Sequence, residues 1–334
     1  MNEREITAPV SLTTPNGALN PAALGWTRTA LHDTSGIGRG HWGRNKRWEY
    51  WNVMTPTHIL AATVSGIDYL ALHSVWVLDR ATQESVETTV LDPGARSVTL
   101  PPSIGQGPAR ARTKTLSLDI DELADGTRLR GSTPRVSFDI TVERPAGHET
   151  LGVVVPWRTP RGIRRFQYTV KDVARPARGT LTIDGVEHEV SQAWGVLDHG
   201  RGRWPYDVRW NWAAGSGVVE GRVVGLQLGS KWTDGSGATE NALVVDGRLT
   251  KISEELVWDY DTEDWMRPWR IHGESADLTF TPFYDKHSRT NALLITTRTN
   301  QLFGTWTGWV RDETGEHVAV DGIEGWAEDV HNRW

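Results

Sequence analysis

Short runs in which apolar and polar residues alternate, each closed by a turn signal, recur along the whole chain. Residues 47–54 (RWEYWNVM), 58–65, 69–79, 113–120, 135–143, 166–173 and 179–190 carry the alternation in the first part. Runs at 206–214, 218–228, 239–246, 248–253, 276–282, 291–298, 301–311, 316–321 and 323–329 repeat it in the second. A period of two sends successive side chains to opposite faces, so these runs read as half-buried strands. Turn signals separate them: Asp92-Pro93-Gly94, Ala124-Asp125-Gly126, Asp184-Gly185, residues 233–237 (TDGSG), Asp246-Gly247 and Thr314-Gly315. No long segment carries helical periodicity with caps, so few and short helices are expected. The pattern predicts an all-β protein of antiparallel sheets, closed into barrels or paired as sandwiches, because either solution limits exposed edges. Barrels also supply ligand cavities. A chain of 334 residues has room for two ordinary domains or one large β domain, and halving the strand count divides it into 1–180 and 181–334.

Composition narrows the function. A 38% hydrophobic and 23% charged chain is ordinary for a globular protein, and no run is long enough to cross a bilayer, so no membrane insertion is expected. The start, MNEREITAPVSL, has charges of both signs and no apolar signal region, which predicts a cytoplasmic location. The chain has no cysteine, which removes disulfides, thiolate nucleophiles and thiolate metal sites. Thirty-six basic against 42 acidic residues, with no long basic block, argue against nucleic acid. The local basic cluster Arg158–Arg165 sits among Pro and Gly and reads as a solvated loop. Histidines are scattered singly without HxH or HExxH spacing, so no metal is expected. Nor is there a GxSxG elbow, a P-loop or a Rossmann fingerprint, and no cofactor is expected. A monomer or homodimer binding an apolar small molecule fits these exclusions.

Tryptophan is the outlier, with 18 Trp against 5 Phe and 6 Tyr. Most are expected to fill sheet cores, each indole N–H needing a partner when buried. Residues 192–212 (QAWGVLDHGRGRWPYDVRWNW) concentrate the chemistry: four Trp, three Arg and the adjacent Asp198 and His199. This segment reads as a Gly- and Arg-rich loop leading into a strand from Tyr206. In that strand Asp207, Arg209 and Asn211 share one face, and Tyr206, Val208, Trp210 and Trp212 the other. Residues 47–53 (RWEYWNV) offer Trp48, Tyr50 and Trp51, with Glu49, as a second pocket wall, and His41 and Trp42 as a lid over it. Glu328, Asp329 and His331 end the last run and read as a solvated tail.

The Asp198-His199 pair, residues 210–213 (WNWA) and the run from Gly304 to Trp334 resemble the DUF2804 family of bacterial proteins of unknown function. More distantly, the 198–212 neighbourhood and the β pattern resemble the AttH and carotenoid 1,2-hydratase group. That resemblance implies two lipocalin-like antiparallel β-barrel domains with a pocket near Asp198 and His199. In the hydratase group Trp-Gly follows the Asp-His pair closely; here Gly200-Arg201-Gly202-Arg203 follows, and the tryptophan arrives at Trp204.

Water addition to an alkene, or cation-driven cyclisation, needs a protonated carboxyl in an apolar pocket and π faces for the developing cation. Asp198 or Asp207 is the candidate acid, and His199 the candidate proton relay or water activator. Trp204, Tyr206, Trp210, Trp212, Trp48 and Tyr50 are candidate substrate-binding residues, with Arg209 as a ligand anchor or the partner of a carboxylate. The rival for Asp198 is an ion pair with Arg201 or Arg203; for Trp210 and Trp212 it is core packing. The expectation is therefore a cofactor-independent hydratase or cyclase acting on an isoprenoid or polyketide-like molecule. The alternatives are a lipocalin-like protein that only carries such a ligand, or a carbohydrate-active protein with two carboxyls about 5 to 10 Å apart across a groove.

Overall fold

A computed structural model describes residues 3–38, 40–160, 162–292 and 295–333. Arg161, within the basic cluster at 158–165, lies outside them, as does Trp334 at the chain end. The chain is all-β: among the described residues the single helical element is a 3-10 turn at Pro21–Ala23, whose first turn is capped by Asn20 Oδ1 accepting from the Ala22 amide at 3.0 Å. No helix among them is long and apolar enough to cross a membrane.

Two large antiparallel sheets account for nearly all strands. The spine of the first runs Ser85–Pro93, Leu70–Asp79, His58–Gly66, Asn45–Met54, Val186–Arg203, Gly162–Ile183, Val136–Glu143 and on through Gly126–Ser132 to Val98–Thr99. The second runs Arg248–Ile252, Asn241–Val245, Arg222–Ser230, Asp207–Val219, Glu324–Arg333, Ile295–Arg311, Ala276–Ala292, Trp269–His272 and Val257–Asp259. The period of two sets the faces. In Val136–Glu143 (VSFDITVE), Val136, Phe138, Ile140 and Val142 are buried while Ser137 and the residues alternating with it face outward. Tight hairpins follow where Asp-Gly pairs predict them: Asp184 and Gly185 have φ of 49° and 84°, and Asp246 and Gly247 of 49° and 80°, the two positive φ values of a type I′ turn.

Each sheet curls around its own core. In the first, Trp51, Leu60, Val75, Leu118, Phe138, Ile140 and Leu197 converge from strands far apart in the sheet. A Cβ placed on Gly66 would lie 3.2 Å from Val98, so opposite ends of the sheet approach each other. In the second, Leu226, Leu243, Trp269, Phe280, Leu302 and Trp306 do the same. These are the two lipocalin-like half-barrels. A third core lies between them and draws Trp76, Val196 and Trp204 from one side and Val208, Trp212, Phe303 and Trp326 from the other. A bulge in Gly162–Ile183 fixes this contact: Val173 and Ala174 press on Gly225, where a Cβ would stand 2.7 Å from Val173, and the Ala174 amide donates to Ser216 Oγ at 2.9 Å.

Two sequence readings change. The expected boundary near 180 falls inside Gly162–Ile183, and the chain passes to the second sheet only between Arg203 and Asp207. The stretch read as a Gly- and Arg-rich loop is the second half of the Val186–Arg203 strand, hydrogen-bonded on both sides. Its arginines are accommodated because the curled first sheet encloses carbonyl oxygens and carboxylates for them.

Candidate functional site in the cleft between the sheets

The Val186–Arg203 strand divides its chemistry between two faces. Leu197, His199, Arg201 and Arg203 point into the first half-barrel. There His199 Nδ1 lies 3.4 Å from Glu49 Oε1, and Arg201 reaches Glu49 at 3.6 Å and donates to the Trp48 and Gly200 carbonyls at 2.8 Å each. Burial, and then the Arg201 charge, pull His199 down to about 4. Val196, Asp198, Gly200, Gly202 and Trp204 point the other way, into the core between the sheets. The missing side chains at Gly200 and Gly202 make room: a Cβ at Gly200 would overlap the Trp48 indole, and one at Gly202 the Gln167 amide. Asp198 and His199, adjacent in sequence and read as one acid/base pair, are thus on opposite sides of a sheet.

Two cross-strand rows meet in the cleft. In the first sheet, Tyr50, Asp198 and Lys171 stand directly opposite one another on three neighbouring strands. In the second, Lys286, Gln301, Glu328 and Trp212 do so on four. Directly paired residues share a face, so each row presents its side chains together. The rows touch where Gln301 Nε2 donates to Tyr50 Oη at 3.1 Å and Lys171 Nζ sits 3.8 Å from the centre of the Trp212 ring.

Three buried carboxyls are each held by an indole. Trp48 Nε1 donates to Asp198 Oδ2 at 3.0 Å, Trp210 Nε1 to Glu328 Oε1 at 2.7 Å, and Trp232 Nε1 to Glu240 Oε1 at 2.6 Å. Asp198 Oδ1 also accepts from the Thr169 hydroxyl at 3.0 Å and pairs with Lys171 at 3.1 Å, and Lys171 reaches Glu240 at 3.4 Å. Burial works against the Lys171 charge, but Asp198 and Glu240 more than offset it and leave its pKa raised. Glu328 is only 6% exposed, and burial drives it up to about 7 against the pull of the Trp210 hydrogen bond and of Lys171. Burial drives Glu240 to about 7 as well, opposed by Lys171 and reinforced by Asp198. On the far side Lys286, its Nζ 4.5 Å from the centre of the Trp76 ring, is lowered by burial to about 8. Tyr50 is raised, chiefly by burial.

Aromatic rings fill the rest. Trp204 meets Trp48, Trp157 and Trp210 edge-on at 5.3, 5.8 and 5.7 Å, and Trp212 meets Tyr50 and Trp326 at 5.7 and 5.0 Å. Trp48, Tyr50, Trp157, Trp210, Phe283 and Tyr284 are only partly buried and form the accessible wall. A cavity of about 320 Å³, joined to this cluster through Trp326, is lined by Asn52, Met54, Trp194, Ser216 and Trp326 together with the Arg80–Glu324 ion pair.

Of the residues singled out by sequence, Asp198, Trp48, Tyr50, Trp204, Trp210 and Trp212 converge here. The others do not. Asp207 lies on the outer surface, bound to His331 at 2.9 Å and Arg333 at 3.2 Å, where solvent keeps it from the low-dielectric site an alkene-protonating acid needs. Arg209 shares that outward face and is exposed, as alternation from Asp207 demands. Tyr206 is 37% exposed at the strand's start, between the guanidiniums of Arg44 and Arg333. His199 is sealed within the first half-barrel. Trp42, read as a lid, is 74% exposed and touches Tyr69. Sequence reasoning missed Lys171, Glu240, Lys286 and Glu328. Glu328, read as a tail residue, alternates with the inward Trp326 and Val330, a parity that already placed it on the core face. Among the described residues no group of three or more His, Asp and Glu side chains converges as metal ligands would.

Three solved structures share this architecture. Kievitone hydratase from Nectria haematococca aligns with a TM-score of 0.51 at 12% identity, over 87% of this chain and 89% of its own. A protein designated AttH from Nitrosomonas europaea gives 0.50 at 12% identity over 97% and 99%, and CghA 0.52 at 15% over 98% and 94%. At such identities the likeness is one of fold. No curated protein matches in sequence. The sequence itself, from residue 3 to residue 334, matches the family described as a domain of unknown function, DUF2804, and the chain belongs to that family.

Proposed function

We propose that this protein is a cofactor-independent hydratase or cyclase that protonates an unsaturated, largely apolar small molecule in the aromatic cleft between its two sheets. The observation that carries the reading is Glu328: a buried carboxyl poised near 7, held by Trp210, directly opposite Trp212 in the sheet and close enough to Tyr50 for its charge to act there. A carboxyl so tuned donates a proton and recovers it near neutral pH. Transfer to one carbon of a C=C bond leaves a carbocation on the other, which the ring faces stabilise. Water then adds to the cation and the oxonium returns a proton to Glu328, which is net hydration. Alternatively a second C=C of the same molecule closes a ring and a C–H proton returns to Glu328, which is isomerising cyclisation. Asp198, whose oxygens already serve Thr169, Lys171 and Trp48, acts as the counter-ion of Lys171 and sets the field around Glu328. The fold shared with a protein named as a hydratase supports the same class.

The test is incubation with a panel of polyprenoid and polyene compounds, reading mass spectra for a gain of one water or for an isobaric product with a new retention time. Glu328→Gln is expected to lower turnover by about 10²–10⁴-fold, with ligand binding, followed by tryptophan fluorescence, intact. Unchanged turnover in Glu328→Gln removes this acid from the mechanism. Tight ligand binding by the wild type with no product from any compound favours a carrier.

A further inference from the structure

The two lysines of the cleft are treated differently by the fold. Lys171 has Asp198 at 3.1 Å, Glu240 at 3.4 Å and the Trp212 ring at 3.8 Å, so its charge is satisfied inside the protein. Lys286 has only the Trp76 ring, 4.5 Å from Nζ, and among the described residues no carboxylate stands within 4.0 Å of it. The nearest acidic influences, Glu87 and Glu328, act on it from beyond contact range. An ammonium partly withdrawn from water beside a ring, with no carboxylate among these residues to complete its coordination, is open to an anionic partner. Its position is not incidental to the cleft. Lys286 closes the row Lys286, Gln301, Glu328, Trp212, it remains partly accessible, and Tyr284 beside it belongs to the same accessible aromatic wall.

We propose that Lys286 anchors an anionic oxygen of the ligand, so that the molecule bound between the sheets is an apolar skeleton bearing one carboxylate, phenolate or enolate. This rests on the cleft being the ligand site, and it adds the chemical class that the aromatic wall alone leaves open. The row also supplies a distance. Lys286 and Glu328 are two strands apart, so at about 4.8 Å per strand their Cα atoms lie roughly 10 Å from each other, and the ligand's charged oxygen and the double bond that Glu328 protonates are to be separated by a length of that order. A ligand of this class spans the cleft with its charged end at Lys286 and its unsaturated end at Glu328. That orientation presents one double bond to the acid and keeps the rest against rings.

The test uses two probes of equal shape, 2-naphthoate and 2-naphthamide, titrated calorimetrically into the full-length wild type, Lys286→Met and Lys286→Arg. The wild type is expected to bind naphthoate at least ten-fold more tightly than naphthamide. Lys286→Met loses that preference while its naphthamide affinity stays within two-fold, which also shows that the cleft is still formed, and Lys286→Arg keeps the preference. The proposal is overturned if the wild type shows no preference for the anion, if the preference survives in Lys286→Met, or if neither probe binds. Binding of naphthamide without anion preference removes the anchor yet leaves the cleft and its acid standing. Loss of the Glu328→Gln turnover effect removes the acid and leaves a naphthoate preference untouched.

Discussion

At the scale of single residues, the cleft is a problem in sharing one cation among several acids. Lys171 stands between Asp198 and Glu240, and Glu328 feels its charge from the facing sheet. Replacing Lys171 with Met strands the buried Asp198 carboxylate without its cation and removes the charge that pulls Glu240 down, whereas Asp198→Asn leaves Lys171 still paired with Glu240. Breaking a buried pair from the side that strands the other charge costs about 3–5 kcal/mol. Lys171→Met is therefore expected to destabilise by about that amount and Asp198→Asn by clearly less, read from urea unfolding midpoints at neutral pH. Equal costs, or a larger one for Asp198→Asn, would show that Glu240 does not share the lysine.

At the scale of elements, the Val186–Arg203 strand shows how one β ladder serves two compartments. Its outer row of Asp198, Gly200 and Gly202, continued by Trp204 just past its end, builds the cleft, and its inner row of Leu197, His199, Arg201 and Arg203 fills the first half-barrel. Gly200 is what lets Trp48 lie across the strand and reach Asp198. Gly200→Ala should push that indole aside, cost about 1–3 kcal/mol as overpacking does, and change the near-ultraviolet dichroism of the tryptophans. An unchanged spectrum with unchanged stability would mean that Trp48 is not seated on this glycine. The same strand explains which parts of the fold were legible in sequence. Period-two runs and Asp-Gly turns are local signals, and hairpins such as that at Asp184-Gly185 follow from them. The segment from Gly200 to Arg203 has neither an apolar face nor β-formers, and it is held as strand by ladders to Asn45–Met54 and Gly162–Ile183, elements far away in the chain. Lys171 and Lys286 were invisible for the same reason, whereas the parity of Glu328 with Trp326 and Val330 placed it on the core face without giving its partners. Each is one polar residue in an ordinary strand, and only the register of rows that join residue 171 to 198 and 286 to 328 gives it neighbours.

At the scale of the whole molecule, burying acids between two half-barrels must tie stability to pH. Glu328 and Glu240 are held at about 7, against an ordinary value of 4.5 in the unfolded chain. Below 4.5 both states carry these protons and the pair contributes nothing to the pH dependence. Between 4.5 and 7 the folded chain keeps protons that the unfolded chain has released, so stability falls as pH rises, and above 7 the loss is complete. Each such shift corresponds to a loss on the order of 3 kcal/mol. Lys286 works in the opposite sense: lowered to about 8 from an ordinary 10.5, it sheds its proton in the folded state first, so stability rises between those values. The combined contribution is therefore lowest at pH 7 to 8, where the carboxyls are poised for proton transfer. The double variant Glu240→Gln/Glu328→Gln, which cannot titrate at either position, should lose the falling limb. Urea unfolding at pH 5 and pH 7.5 checks this: wild type is expected to lose several kcal/mol more than the double variant between the two. Parallel behaviour would mean that the cleft admits enough water to keep both carboxyls near their ordinary values, and a carboxyl in that state would hold too little of its proton at neutral pH to act as the acid of an alkene hydration or cyclisation.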